Sequence, residues 1–350
     1  MAQVDAASRP GLPPLVLIPP VGVGIDRRFF SRLQDCWQGG AATHAPDLLG
    51  IGSATPKPRR FYAPEVWAGQ LDDYIRSLGE PCVLVSQGGQ LPCALETWRL
   101  GGAETIKGLA LLSPPPLSFV TDDEGAAPDR TAPPRRRAKR RAARVAWALS
   151  ASPVGNASRR ARKSSVWSCS RRGYDADRPR GKPLHAVATN DAVRRFFRRL
   201  RGANGARIKS FTERSLFAGE VDDRWVRQCV DSARDARGRF ATLSYLCGTI
   251  PAGGVWRDDR GPLLADLDVP TTVVRGDFPG ARDPVARTRD ALAGLPAPAG
   301  GYVVDGARAC LPWEQPERCA AAVGDFVARQ FGGAAVTLPE GVAVVEAEAG

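Results

Sequence analysis

Val83-Leu84-Val85-Ser86-Gln87-Gly88-Gly89-Gln90-Leu91-Pro92-Cys93 decides the fold. An apolar, β-branched run reads as a buried strand, breaks at a glycine pair and passes into a helix. This is the layout of a nucleophile elbow, in which a sharp strand-to-helix turn lifts one side chain to the top of a sheet. The apex of the turn is Gly88, which has no side chain to present.

Strand-like and helix-like segments alternate on both sides of this stretch. That pattern argues a mostly parallel sheet with helices on both faces. Upstream, Leu15-Val16-Leu17-Ile18 reads as a buried strand closed by Pro19-Pro20. A helical stretch then carries Phe29, Phe30, Leu33 and Trp37, and residues 43–47 lead into the turn Leu49-Gly50-Ile51-Gly52-Ser53. Pro64 suits a helix's first turn, with Trp67, Leu71, Tyr74, Ile75 and Leu78 as its apolar stripe. Downstream, residues 106–112 form the next strand, stopped by Pro114-Pro115-Pro116. Residues 270–277 give a strand ending in a Gly-Asp turn, 287–295 a helix, 301–304 a short strand and 316–331 a final amphipathic helix. The Gly/Ala-rich tail, 332–350, is expected to fray.

The 350 residues fit one large α/β unit with an insertion. With 43% hydrophobic and 25% charged residues the chain reads as soluble, and no apolar run approaches the roughly 18 residues that cross a bilayer. The first ten residues have neither a signal-peptide layout nor the length of a transit peptide. Eight cysteines, at 36, 82, 93, 169, 229, 247, 310 and 319, are scattered without a CxxC pair, and the two histidines add no metal cluster. They read as reduced thiols of an intracellular protein, and neither a metal nor a cofactor is expected.

The net charge of +12 is concentrated. Residues 130–201 hold 22 Lys and Arg against 3 Asp and Glu, so the rest of the chain is net acidic. Few large apolar residues interrupt this segment, and about 121–190 is expected to be disordered. A solvated insertion is the plainer reading. Weak contact with nucleic acid or another acidic surface through 130–201 is the sharper one. Order is expected to return at 191–200, where Val193, Phe196, Phe197 and Leu200 share a helical face, and to continue in a helix over about 222–237 with Trp225, Cys229 and Val230 inward.

Taken in chain order, four pieces resemble the α/β-hydrolase superfamily. Leu17-Ile18-Pro19-Pro20-Val21-Gly22 is similar to its oxyanion strand and loop, and Ala45-Pro46-Asp47-Leu48-Leu49-Gly50-Ile51-Gly52-Ser53 to its PDxxGxGxS loop. The third piece is the elbow. Residues 306–316, Gly-Ala-Arg-Ala-Cys-Leu-Pro-Trp-Glu-Gln-Pro, resemble the late loop that delivers the catalytic histidine. The Pro-Pro-Val-Gly-Val-Gly opening looks like an uncharacterised plant, algal and cyanobacterial branch, with which a plastid location would be compatible. The resemblance implies two core halves, 1–116 and 263–331. They flank a cap region, 117–262, that is helical over 191–250, and a flexible tail follows.

Carried over residue by residue, the resemblance puts Ser86 at the first glycine of the elbow motif, Gln87 before the nucleophile and Gly88 at the nucleophile itself. Anchoring on Glu314-Gln315-Pro316 puts Ala309 where histidine belongs. The acid is Asp277 or Asp283, with Pro279 at the most literal position. A serine nucleophile needs a base within hydrogen-bond reach and a group that orients that base. Neither His44 nor His185 is placed by the resemblance to supply it. The oxyanion donors, the backbone amides near Val21 and at Gly89, need no particular side chain. The resulting expectation is a degenerate catalytic site, that of a binder of an apolar or ester-like small molecule or of a vestigial hydrolase, with Trp225, Phe196 and Phe197 as lining or core residues. Three rivals stand beside it: an active esterase using Ser86 with an unconventional base, Cys310 as a nucleophile, and dinucleotide binding through Gly22-Val23-Gly24 with Asp47.

Overall fold

The computed structural model describes residues 3–4, 11–22, 24–52, 64–114, 204–234 and 264–347. The segments 121–190 and 191–200, with His185, Phe196 and Phe197, lie outside them.

Eight strands form one sheet: β1 (Gln3–Val4), β2 (Leu15–Ile18), β3 (Thr43–Ala45), β4 (Cys82–Gln87), β5 (Ile106–Leu112), β6 (Thr271–Asp277), β7 (Pro298–Asp305) and β8 (Val342–Val345). Their spatial order is β1-β3-β2-β4-β5-β6-β7-β8. All neighbours run parallel except the two edge pairs, β1 with β3 and β7 with β8. From β2 the chain steps outward to β3, then crosses back to lay β4 on β2's other side. The winding reverses there, and in open α/β sheets the crevice at such a reversal, beyond the strands' carboxyl ends, is where ligands bind.

Every residue of β4 is buried. A parallel sheet covered on both faces demands this, and it explains the continuous apolar run over 82–85. Side chains alternate between two cores. Leu84, Leu111 and Val273 pack with α2 (Pro64–Leu78) and α3 (Leu91–Thr105). Val83, Val85, Leu112 and Val274 pack on the opposite side with Phe29, Trp313 and Phe326. On α2 the buried stripe is Trp67, Leu71 and Ile75, while Tyr74 and Leu78 are half-buried.

Between Arg27–Phe30, a 3₁₀ turn, and Cys36 lies the short helix α1 (Ser31–Asp35). Two further helices, α4 (Gly205–Ser215) and α5 (Asp223–Arg234), stand over the second core. The expected helix at 222–237 is α5, and its Asp222 side chain caps it by accepting from Trp225 N–H at 2.6 Å. Asn204 caps α4 in the same way at Arg207 N–H. α4 falls within the cap expected to be helical over 191–250, though its bounds were not given, because its single buried residue, Thr212, makes no apolar stripe. After β6 come α6 (Pro284–Ala293), the short α7 (Leu311–Glu314) and α8 (Pro316–Phe331), the last with the boundaries expected.

The tail departs from expectation. Instead of fraying from residue 332, Val342–Val345 adds β8 antiparallel to β7, with Tyr302 opposite Val344, and Val345 is buried. An open β7 edge and a β-branched Val-Ala-Val-Val run are the physical reason. Residues 348–350 lie outside the described set.

One glycine fixes how close α5 comes. Gly24 has φ 73°, and a Cβ there would sit inside contact distance of the Cys229 carbonyl oxygen. The loop after β2 therefore lies backbone to backbone against α5. Gly24→Ala is expected to destabilise the protein by about 1–3 kcal/mol through overpacking and the left-handed φ together, read as a lower urea midpoint at unchanged slope.

Candidate functional site

The carboxyl ends of β2 and β4 meet at the winding reversal. Gly88 follows β4 with φ 58° and opens the 3₁₀ turn Gly88–Gln90, from which α3 starts. A Cβ built on Gly88 meets no heavy atom within 4 Å. The turn thus has the left-handed apex of an elbow and open space where a side chain would stand. Gly89 is exposed beside it, and Val21, half-buried, packs on the first core.

Two glutamines brace this turn. Gln87, 3% exposed, donates from Nε2 to the Ala309 carbonyl oxygen at 2.6 Å, joining β4's end to the loop before α7. Its Oε1 is buried without a partner. Gln90 donates from Nε2 to the Pro19 carbonyl oxygen at 3.2 Å, joining the turn to the loop after β2. Neither tie was anticipated from sequence; the long amide side chains at 87 and 90, flanking a glycine pair in a buried run, were the available signal.

Ser86 lies within β4, opposite Ile18 and Leu111. Strand alternation puts its side chain on the face of Leu84, and that of Gln87 on the other, where Ala309 is reached. Ser86 is 2% exposed and its Oγ has no hydrogen-bond partner.

The loop carrying Ala309 is held from several directions. Ala309 N–H donates to the Leu216 carbonyl at 3.0 Å, just beyond α4. The Glu314 carboxylate accepts from Arg308 N–H at 3.1 Å, from Cys310 N–H at 3.0 Å and from Ala218 N–H. Burial pushes the Glu314 carboxyl up, and these amides pull against that shift. Burial also drives the Cys310 thiol far up, with Glu314 adding to it, so Cys310 is a packed thiol and not a thiolate nucleophile. The six described cysteines are all unpaired, five of them buried.

The two acid candidates differ in employment. Asp277 ends β6, half-buried, its carbonyl accepting from Ala307 N–H at 3.1 Å. Asp283 is exposed and caps α6, its Oδ1 accepting from Ala286 N–H at 2.9 Å. His44 sits on β3 with Nδ1 3.1 Å from the Tyr74 hydroxyl. Asp47 accepts from Arg27 N–H at 2.9 Å, an internal brace that takes up the carboxylate a dinucleotide ribose would need. Trp225 packs edge-on against Phe29 and Trp313 and donates from Nε1 to Thr212 Oγ1 at 3.0 Å, the position of a core residue. Among the described residues, no three His, Cys, Asp or Glu side chains are grouped to hold a metal ion, and no helix is long and apolar enough to cross a membrane.

The chain is similar in structure to an esterase from Thermogutta terrifontis, with 17% identity, a TM-score of 0.56 and 94% of each chain covered. It is similar also to a bromoperoxidase from Bacillus anthracis, at 15% identity and TM-score 0.56 over 93% of this chain and 94% of the other. An enol-lactonase from Burkholderia xenovorans gives 14% and 0.55 over 93% and 95%. Likeness at this level fixes the fold, which is that of the α/β-hydrolases. No protein-family model and no curated sequence matches the chain.

Gln87→Ala is expected to cost about 1–2 kcal/mol by removing a buried tie and to speed hydrogen exchange at residues 308–310, measured by mass spectrometry. His44 gives a pH test. Burial holds its pKa below the ordinary value, so its stabilising contribution is present above the unfolded pKa of about 6.5 and is lost as pH falls through and below it. His44→Gln is expected to flatten that part of the stability–pH curve in denaturant titrations between pH 7.5 and 5.5.

Proposed function

We propose that this chain binds a small molecule on an α/β-hydrolase fold whose nucleophile and histidine positions are filled by Gly88 and Ala309. The observation that carries this reading is the vacant left-handed apex: Gly88 at φ 58° with nothing within 4 Å of a built Cβ. Around it the Gln87 amide bonds the Ala309 backbone, an arrangement that ties two loops without any acid–base chemistry. Removing nucleophile and base together costs on the order of 10⁶ in rate. What persists is the backbone: the amide of Gly89 and the loop at Val21 supply donors for a carbonyl oxygen regardless of side chain. An apolar or ester-like ligand suits such a site, held without turnover.

Ser86 does not replace the missing group. Its side chain lies on the face of β4 opposite to the one from which Gln87 reaches Ala309, and among the described residues its buried hydroxyl has no hydrogen-bond partner.

The test is labelling with a fluorophosphonate probe together with a short-chain ester assay. The wild-type protein and Ser86→Ala are expected to be equally unreactive. Gly88→Ser with Ala309→His is expected to gain probe labelling, because the turn accepts a Cβ in open space at a cost of about 1–2 kcal/mol for the left-handed φ. Wild-type labelling that disappears in Ser86→Ala overturns the proposal and establishes a working hydrolase.

A further inference from the structure

Arg275 is a buried cation outside the elbow. It lies on β6 at 7% exposure, on the same face as Val273, the side covered by α3 and α6. Nη1 donates to the Pro114 carbonyl at 3.0 Å. Nε is buried with no partner, and among the described residues no carboxylate pairs with the guanidinium. That Nε belongs to the Nε–Nη2 edge, the fork that takes an oxyanion through two parallel hydrogen bonds.

A second orphan stands beside it. Ser113 follows β5, and its N–H donates to the Val274 carbonyl at 2.7 Å, which sets it level with Arg275 on the neighbouring strand. Its φ is 44°, a left-handed value uncommon for serine, and its Oγ is buried without a partner. Both groups stand at the carboxyl ends of parallel strands, the edge of an α/β sheet where ligands are held. A buried cation without a counter-charge is costly, and a buried hydroxyl without a partner adds to that cost.

We propose that Arg275 and Ser113 form a subsite for a small oxyanion, the carboxylate or phosphate group of a ligand, at the carboxyl ends of β5 and β6. The anion supplies the paired counter-charge that, among the described residues, the guanidinium lacks, and accepts from the Ser113 hydroxyl. Burial already lowers Arg275 to about 10, with Arg287 of α6 adding repulsion and Asp290 opposing it, so the protein itself leaves the cation undercompensated. The subsite is separate from the vacancy at Gly88, and neither depends on the other.

The experiment is thermal unfolding and isothermal titration of the full chain with sodium phosphate and with sodium acetate, against sodium chloride at matched ionic strength. A saturable rise in Tm with either oxyanion is expected. Preference for phosphate assigns a phosphate ligand, and preference for acetate assigns a carboxylate. Arg275→Met is expected to weaken the anion at least about tenfold, while its Tm without anion stays level or rises, because an apolar side chain replaces an unpaired buried charge. Arg275→Lys keeps the charge and lacks the fork, so weakened binding there supports the proposal even where the methionine variant fails to fold. Ser113→Ala is expected to weaken binding several-fold. The proposal is overturned by the absence of any saturable effect beyond chloride, or by an anion response unchanged in Arg275→Met or Arg275→Lys. Loss of stability with that response retained assigns Arg275 to its Pro114 bond alone.

Discussion

A strand buried along its whole length has to stop and turn within one residue, and the rest of the site takes its place from that turn. β4 lies between β2 and β5 with no exposed residue. α3 must start at once and fold back over the same sheet, which requires a left-handed backbone at the junction. Glycine adopts that conformation without a Cβ penalty. With Gly88 there, the turn is unstrained and carries no reactive group. Holding it in place falls to its neighbours, Gln87 toward the Ala309 loop and Gln90 toward the loop after β2. An amide side chain serves well here: it is neutral, so burial carries no ionic penalty, and its N–H donors reach carbonyls left over at loop ends.

The helix pair α4–α5 is fixed to the same loops, which couples everything near the turn. Trp225 of α5 packs against Phe29, Phe217 and Trp313, which come from the two flanking loop regions and from the segment between the helices. Arg32 of α1 pairs with Asp222, the α5 cap, and donates to the Trp313 carbonyl at 3.1 Å while lying over that ring. Glu314 gathers amides from both the Ala309 loop and residue 218. Aromatic burial supplies the area, and the charged groups set the geometry. Direct contacts thus join α5 to the late loop, and Gln87 joins that loop to the end of β4.

Sequence legibility followed the strength of the local signal. Continuous apolar runs gave the parallel strands, and a proline start with an apolar stripe gave α8 to the residue. The bounds of α4, inside a cap expected to be helical, were not legible because it presents no apolar stripe and depends on its Asn204 cap and on packing with α5. β8 was invisible because a short strand's existence depends on an open edge elsewhere in the chain. At the site, the glycine apex was legible from the motif alone. The bond from Gln87 to Ala309 spans 222 residues and was not. Arg275 read as an ordinary strand residue, since nothing local marks a guanidinium that folding deprives of a carboxylate.

Unpartnered polar groups recur along the carboxyl edge of the sheet, at the elbow and apart from it. Ser86 Oγ, Ser113 Oγ and Arg275 Nε are buried at the ends of three adjacent strands, and all three are able to donate. Exposed backbone at Gly89, at the start of α3, is a donor region as well. Hydrolysis needs the opposite, an acceptor placed to take a proton from a nucleophile or from water. Among the described residues, the buried acceptor left without a partner beside the turn is the Gln87 Oε1, an amide oxygen far too weak as a base to serve. Buried donors at a sheet edge stabilise oxygen atoms that carry negative charge. These buried donors are the physical ground shared by the two proposals, the ligand site at Gly88 and the oxyanion subsite at Arg275.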